Sequence, residues 1–230
     1  MKRMFPGATP MLAALSTLAA AAHAAPACPA AAPARLVETF ISADCATCWE
    51  QRIDVGANAL RLDWVVPGEQ GDEAPLAVAA LAEAGERLKV PLTKDAANVQ
   101  PHPATRRPSG LKITAHSGLA WNGYIALVLD LEQRRAKALS PQAAGWVALV
   151  ERVPAGEDGS PEDRQLVRNV IGPLPMALPA GQHALRHLRA VRLPANVKVE
   201  RLGAVGWIED GDHIAALAQS APANCTPASR

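Results

Sequence analysis

Apolar residues recur along the chain in short runs, and the way they are separated changes near residue 100. In the first stretch, Arg35-Leu-Val-Glu-Thr-Phe-Ile-Ser42 is a strand-length run that ends in the polar turn Ser42-Ala43-Asp44. A helical pattern follows, with Trp49, Ile53, Ala57 and Leu60 on one face. Glu50, Arg52, Asp54 and Asn58 fall mostly on the other, and Gly56 weakens the middle. Leu62 to Val66 reads as a second strand, closed by Pro67-Gly68. Pro75 suits a first helical turn, so Leu76 to Leu88 reads as an Ala-rich helix. Strand, helix, strand, helix with short loops predicts parallel strands in an α/β layer.

Pro101 to Gly110 is a Pro/Arg/Gly stretch and the best boundary in the chain. Beyond it, apolar runs at Leu111–Ala115, Tyr124–Leu131, Trp146–Val153, Leu166–Ile171, Leu188–Leu193, Ala204–Ile208 and Ile214–Leu217 alternate with turn residues. Asn122-Gly123 and Asp210-Gly211-Asp212 are the clearest of those turns. About seven strands at this spacing predict an immunoglobulin-like sandwich.

The first residues belong to neither region. Lys2 and Arg3 precede the apolar run Met11 to Ala22, and Ala22-His23-Ala24 fits a small-x-small cleavage site. The run spans about a dozen residues, short of the roughly 20 that a bilayer core needs. The expectation is therefore a signal peptide over 1–24, cut after Ala24, and a periplasmic or secreted product without a membrane span. Cys28 lies just downstream, but the preceding Ala25-Pro26-Ala27 lacks the leucine of a lipid-anchor signal. Residues 25–34 and 221–230 read as Ala/Pro/Ser-rich tails. A formal net charge of +1 supplies no basic field for nucleic acid or anionic lipid.

Export gives the four cysteines, Cys28, Cys45, Cys48 and Cys225, an oxidising setting. Three pairings are possible for four cysteines. The spacing of Cys45 and Cys48 suits a bridge across the first turn of a helix, which leaves Cys28 and Cys225 as a structural clasp. Zinc is the competing use, but the outer two cysteines are isolated in the tails and lack ligand spacing. At a helix N-terminus a thiolate is stabilised by unpaired N–H groups and the dipole. Cys45 is then the attacking thiol and Cys48 the resolving one. Thr47 can donate to sulfur, and Trp49 borders a partner groove. Asp44 and Glu50 oppose ionisation, so the pair reads as reducing or neutral in poise.

Leu36-Val-Glu-Thr-Phe-Ile-Ser-Ala-Asp-Cys-Ala-Thr-Cys48 resembles the opening of the uncharacterised secreted thioredoxin-like proteins of Gram-negative bacteria. Arg61 to Val66 is similar to the strand that follows in that family. Trp146 to Glu151 and Leu166 to Ile171 resemble its β-rich C-terminal region. The resemblance implies a thioredoxin-like domain over 35–100, a linker over 101–110 and a β-sandwich domain over 111–220, with Cys45 and Cys48 at the redox position. Such folds set a cis-proline opposite the Cys-x-x-Cys, and Pro91 in Val90-Pro91-Leu92-Thr93 is the nearest candidate. Behind it, Lys94 to Asn98 reads as a turn.

Two functions compete on these readings. The leading one is a thiol–disulfide oxidoreductase or redox partner acting on periplasmic protein thiols or disulfides through Cys45 and Cys48. The other is a non-catalytic envelope binding or scaffold protein whose Cys45–Cys48 bridge is structural. Copper handling by the two thiolates ranks below both, since no His or Met lies near the motif. No cofactor is called for. His183 and His187 are four apart, but their surroundings favour a turn and strand over a metal-binding helix.

Overall fold

Seven of the eight residues of β1 (Arg35–Ser42) are buried, which requires cover on both faces and a partner on each edge. The computed structural model, which describes residues 33–106, 108–134 and 139–220, supplies both. After β1 come a one-turn helix α1 (Ala46–Trp49), β2 (Ala59–Val66), α2 (Ala82–Leu88) and β3 (Ala97–Pro101). Seven more strands follow: β4 (Leu111–Ser117), β5 (Tyr124–Gln133), β6 (Ala144–Val153), β7 (Arg164–Pro175), β8 (Ala184–Arg192), β9 (Leu202–Asp210) and β10 (His213–Gln219). The protein is mostly β-sheet with few helices, and neither of its two sheets is closed.

The larger sheet has the order β10-β9-β6-β7-β2-β1-β3. β1 and β2 are parallel in the register Phe40 opposite Trp64, and β3 runs antiparallel on the outer side of β1. β2 meets β7 in parallel at Asp63 and Leu166, and that contact joins the first half of the chain to the second. β4, β5 and β8 form a separate antiparallel sheet that packs face to face on the β6–β9–β10 end.

Burial follows from this layering. β4 alternates buried and exposed residues because one of its faces meets solvent. β6 and β9 are buried on both faces. Val147, Leu149, Ala204 and Ile208 point to the small sheet, while Ala148, Val150, Val205 and Trp207 point to the opposite face, where Leu88 of α2 also packs. A register shift between Ile214 and Ala216 in β10 lets the adjacent Ala215 and Ala216 both reach the inter-sheet core.

Several expected elements differ. The helix pattern through Leu60 stops at Trp49, because the carbonyls that would continue it are taken elsewhere. Arg164 Nη2 donates to Trp49 O (2.8 Å) and Gln51 O (2.7 Å), and Ile53 N–H turns to Glu162 Oε1 (3.1 Å). The helix expected over Leu76–Leu88 is broken in the middle. After a single 3-10 turn at Ala77–Ala79, Ala80 bridges to Val65 and Leu81 N donates to Val65 O (3.0 Å), so that only Ala82–Leu88 coils. Lys94–Asn98, expected as a turn, supplies the start of β3 from Ala97. The linker 101–110 does not divide the chain sheet by sheet, since β1, β2 and β3 share one sheet with β6, β7, β9 and β10.

Candidate functional site

Cys45 and Cys48 lie beyond the C-terminal end of β1, where ligands bind in open sheets with parallel strands. They form a disulfide with Cα atoms 5.3 Å apart. Cys45 caps α1: its Sγ accepts from the Cys48 N–H (3.2 Å) and lies 3.5 Å from Thr47 Oγ1. Thr47 is exposed, but the sulfur-bearing residues are not: Cys45 is 2% and Cys48 6% exposed. Ile41, Val65, Ala74, Ala79, Val153 and Leu166 close around them, and Leu76 N donates to Ala43 O (3.0 Å), tying the covering segment to the strand end.

Asp44 points away from the pair. Its carboxylate accepts from the N–H groups of Glu69 (2.7 Å) and Gln70 (3.3 Å), and Gly68 leaves the room for this, since a Cβ there would fall 2.1 Å from Asp44 Oδ1. Trp49, expected to border a groove, is buried, and its Nε1 donates to Asp158 O (2.8 Å). Pro91 is exposed after α2, outside the cluster that encloses the disulfide. Its peptide bond is trans; among the described residues the cis bond is Gly172–Pro173. Cys28 and Cys225 lie outside the described residues, as do the cleavage site after Ala24 and the C-terminal tail.

Behind the disulfide lies an ionic cluster that strand patterning alone does not reveal. Arg164 is fully buried, with its guanidinium 4.7 Å from the Trp49 ring. It donates to Ser160 Oγ (2.9 Å) and to Asp63 Oδ1 (3.0 Å). Asp63 also meets Arg61 Nη2 at 2.6 Å, and Arg61 Nη1 reaches Glu162 (2.6 Å). Burial pushes the Asp63 carboxyl up against the pull of both arginines, and burial likewise lowers Arg164 despite Asp63 and Glu162. The sequence signal was a charged residue, Asp63, inside a run that reads as strand; Arg164 lies ahead of the run Leu166–Ile171 and carried no such signal.

A second constellation sits on the α2 side of the large sheet. Glu38, buried in β1, accepts from Arg87 Nε and Nη2 (the latter 2.8 Å) and lies 2.8 Å from His102 Nε2. Arg87 also donates to Glu209 (2.6 Å) and rests 5.0 Å from both the Trp146 and Trp207 rings, which stack at 6.1 Å. Burial opposes charge at Glu38, but His102 and Arg87 outweigh it and hold its carboxyl below the usual range. Glu38, Arg87, His102, Trp146 and Glu209 line a groove of about 640 Å³ together with Glu83, Glu86 and Asp212. His102 and Trp146 thus belong to a polar network. His187 sits on a strand, as the sequence indicated, with Nε2 2.9 Å from Pro175 O.

No family model and no curated protein matches the chain. Among the described residues, no helix is long and apolar enough to cross a membrane. In fold, the chain is similar to a solved structure of HBP35 of Porphyromonas gingivalis, with a TM-score of 0.53 and 8% identity over 86% of this chain and 78% of that one. At that identity the likeness is one of architecture alone.

Proposed function

We propose that the chain is an exported, non-catalytic binding or scaffold protein. In this reading β1 to β3 form a thioredoxin-like unit, the remainder an immunoglobulin-like sandwich grown onto the same sheet, and Cys45–Cys48 is a structural bridge. The burial of both cysteines carries this choice. Exchange requires a thiolate to approach a disulfide sulfur, and here the apolar cluster around Ile41, Val65, Val153 and Leu166 stands in the way. The likeness to HBP35 adds weight to an architecture of two units. Export rests on the first 24 residues, and a Cys28–Cys225 clasp on the cysteine count; N-terminal sequencing and non-reducing peptide mapping test them.

Thiol–disulfide exchange is the second reading, favoured by the position of Cys45 at the mouth of α1, where the Cys48 N–H already reaches its sulfur. The two readings diverge on the reduction potential measured against glutathione. A structural bridge lies below about −300 mV, whereas working oxidoreductases span about −270 to −120 mV. A potential in the upper range, with mixed disulfides trapped by Cys48→Ser in envelope extracts, would replace the scaffold by the oxidoreductase.

A further inference from the structure

β8 is an edge strand of the three-stranded sheet, and its free side faces solvent. At one end of its pairing with β5, Gln133 N donates to His183 O (2.8 Å). At the other, Leu193 N donates to Gly123 O (2.7 Å). These bonds fix the parity of the ladder: odd-numbered residues of β8 bond to β5, and Ala184, Arg186, Leu188, Ala190 and Arg192 turn their N–H and C=O groups outward. Among the described residues no backbone hydrogen bond reaches those groups; the Leu188 carbonyl accepts from the side chain of its neighbour, Arg189 Nη1 (2.9 Å).

The solvated face of this sheet and the connection between β4 and β5 expose apolar residues. Leu119 is 93% exposed, Trp121 76%, and Tyr124 and Leu188 54% each. Trp121 and Tyr124 flank the two-residue turn Asn122-Gly123 and exchange backbone bonds of 2.8 and 2.9 Å, so both aromatic side chains stand on a fixed base. Arg192 lies directly opposite Tyr124. Arg186 is paired with Asp130 (2.6 Å), while Arg189 and Arg192, on opposite faces of the strand, have no carboxylate partner among the described residues.

Charges along an edge usually guard it against pairing with another chain. Guarding accounts for the arginines but not for Leu188, which stands half-exposed on the edge strand itself. We infer that β8 accepts an extended acidic segment of a partner protein as a fourth strand. Main-chain bonds to Arg186, Leu188 and Ala190 hold the segment, its carboxylates meet Arg192 and draw the Arg189 guanidinium off the Leu188 carbonyl, and its apolar residues cover Leu188. The inference rests on the binding reading above and gives it a partner. It is read out without the cysteines, so its failure leaves the structural assignment of Cys45–Cys48 standing.

The test uses the full chain and two labelled octapeptides, one repeating Val-Val-Glu-Glu and the other Val-Val-Lys-Lys, so that each face of the added strand carries both residue types. Binding is followed by fluorescence anisotropy. The Glu peptide is expected to bind and the Lys peptide not, with binding weakening as salt rises. Ala190→Pro removes an outward N–H and no β5–β8 bond, so it is expected to weaken Glu-peptide binding by about tenfold or more while the unfolding midpoint holds. Arg192→Glu carries the same prediction should the proline variant not fold. Equal binding of the two peptides, or undiminished Glu-peptide binding by the folded Ala190→Pro and Arg192→Glu variants, overturns the inference. So does capture by anionic phospholipid vesicles without peptide binding, or self-association of the wild-type chain that Ala190→Pro abolishes.

Discussion

Replacing Arg164 with methionine keeps most of the apolar length of the side chain and removes every donor of its guanidinium. In the folded protein that group is fully buried. It serves Asp63, Ser160 and the carbonyls of Trp49 and Gln51, and it stacks on Trp49. The substitution leaves Asp63 with Arg61 and the Gln165 N–H (3.3 Å) and orphans two carbonyls next to α1. Removing one partner of a buried ion pair costs about 3–5 kcal/mol, because the remaining charge stays desolvated. At roughly 2–4 °C per kcal/mol for a chain of this size, the midpoint falls by about 6–20 °C. Asp63→Asn by itself leaves Arg61 and Arg164 facing each other, so it is also costly. The double variant Asp63→Asn/Arg164→Met removes both charges and is expected to lose about 1–3 kcal/mol less than the sum of the single variants. Urea unfolding followed by tryptophan fluorescence measures all three. A single Arg164→Met variant within about 1 kcal/mol of wild type, or a double variant equal to the sum, refutes the view that this cluster holds the segment after α1.

Three further outcomes are expected. Glu38, whose folded-state carboxyl is held below its ordinary 4.5 by His102 and Arg87 against the opposing effect of burial, contributes stability above that value. That stability is lost as acid protonates the unfolded chain first; Glu38→Gln should flatten the fall in stability below about pH 4.5, by up to one proton in slope, and an unchanged slope refutes the linkage. Gly206 lies where a Cβ would come 2.7 Å from Leu129 Cδ1 and 2.8 Å from Ala115 Cβ, so Gly206→Ala should cost about 1–3 kcal/mol, with partial relief from Leu129→Ala in a chemical denaturation cycle. Cys45→Ala/Cys48→Ala should cost only about 2 kcal/mol, because a short loop closed by a disulfide loses little chain entropy; a much larger loss by calorimetry would show that the bridge also holds the packing around it.

The strands were legible because their apolar runs have the length and turn boundaries that strands require. Every run after residue 110 coincides with a strand, and only Leu193 falls beyond its end. The position of the Cys-x-x-Cys at a strand-to-helix turn was legible for the same local reason. The length of the helices was not. Their periodicity was present in Trp49-Ile53-Ala57-Leu60 and in Leu76–Leu88, yet Arg164 and Val65, distant in sequence, took the backbone groups that would have extended them. Pro91 shows the same limit: the sequence offered it only as the nearest candidate for a cis-proline, and its place in space depended on how α2 and β3 met β1.

By itself the sequence determined where the chain alternates or saturates with apolar residues, hence which segments become strands and where the two cysteines meet a helix start. It also determined the expectation of export, through residues outside the described structure. Only the tertiary structure decided that β2 joins β7 to make one sheet of two halves, that the sulfurs lie under an apolar cover, and that Glu38, Arg87, His102 and Glu209 converge. The division has a physical cause. Strand formation depends on local side-chain pattern, whereas burial, charge pairing and access depend on residues distant in sequence, as with Arg87 and Glu209, which pair across 122 positions.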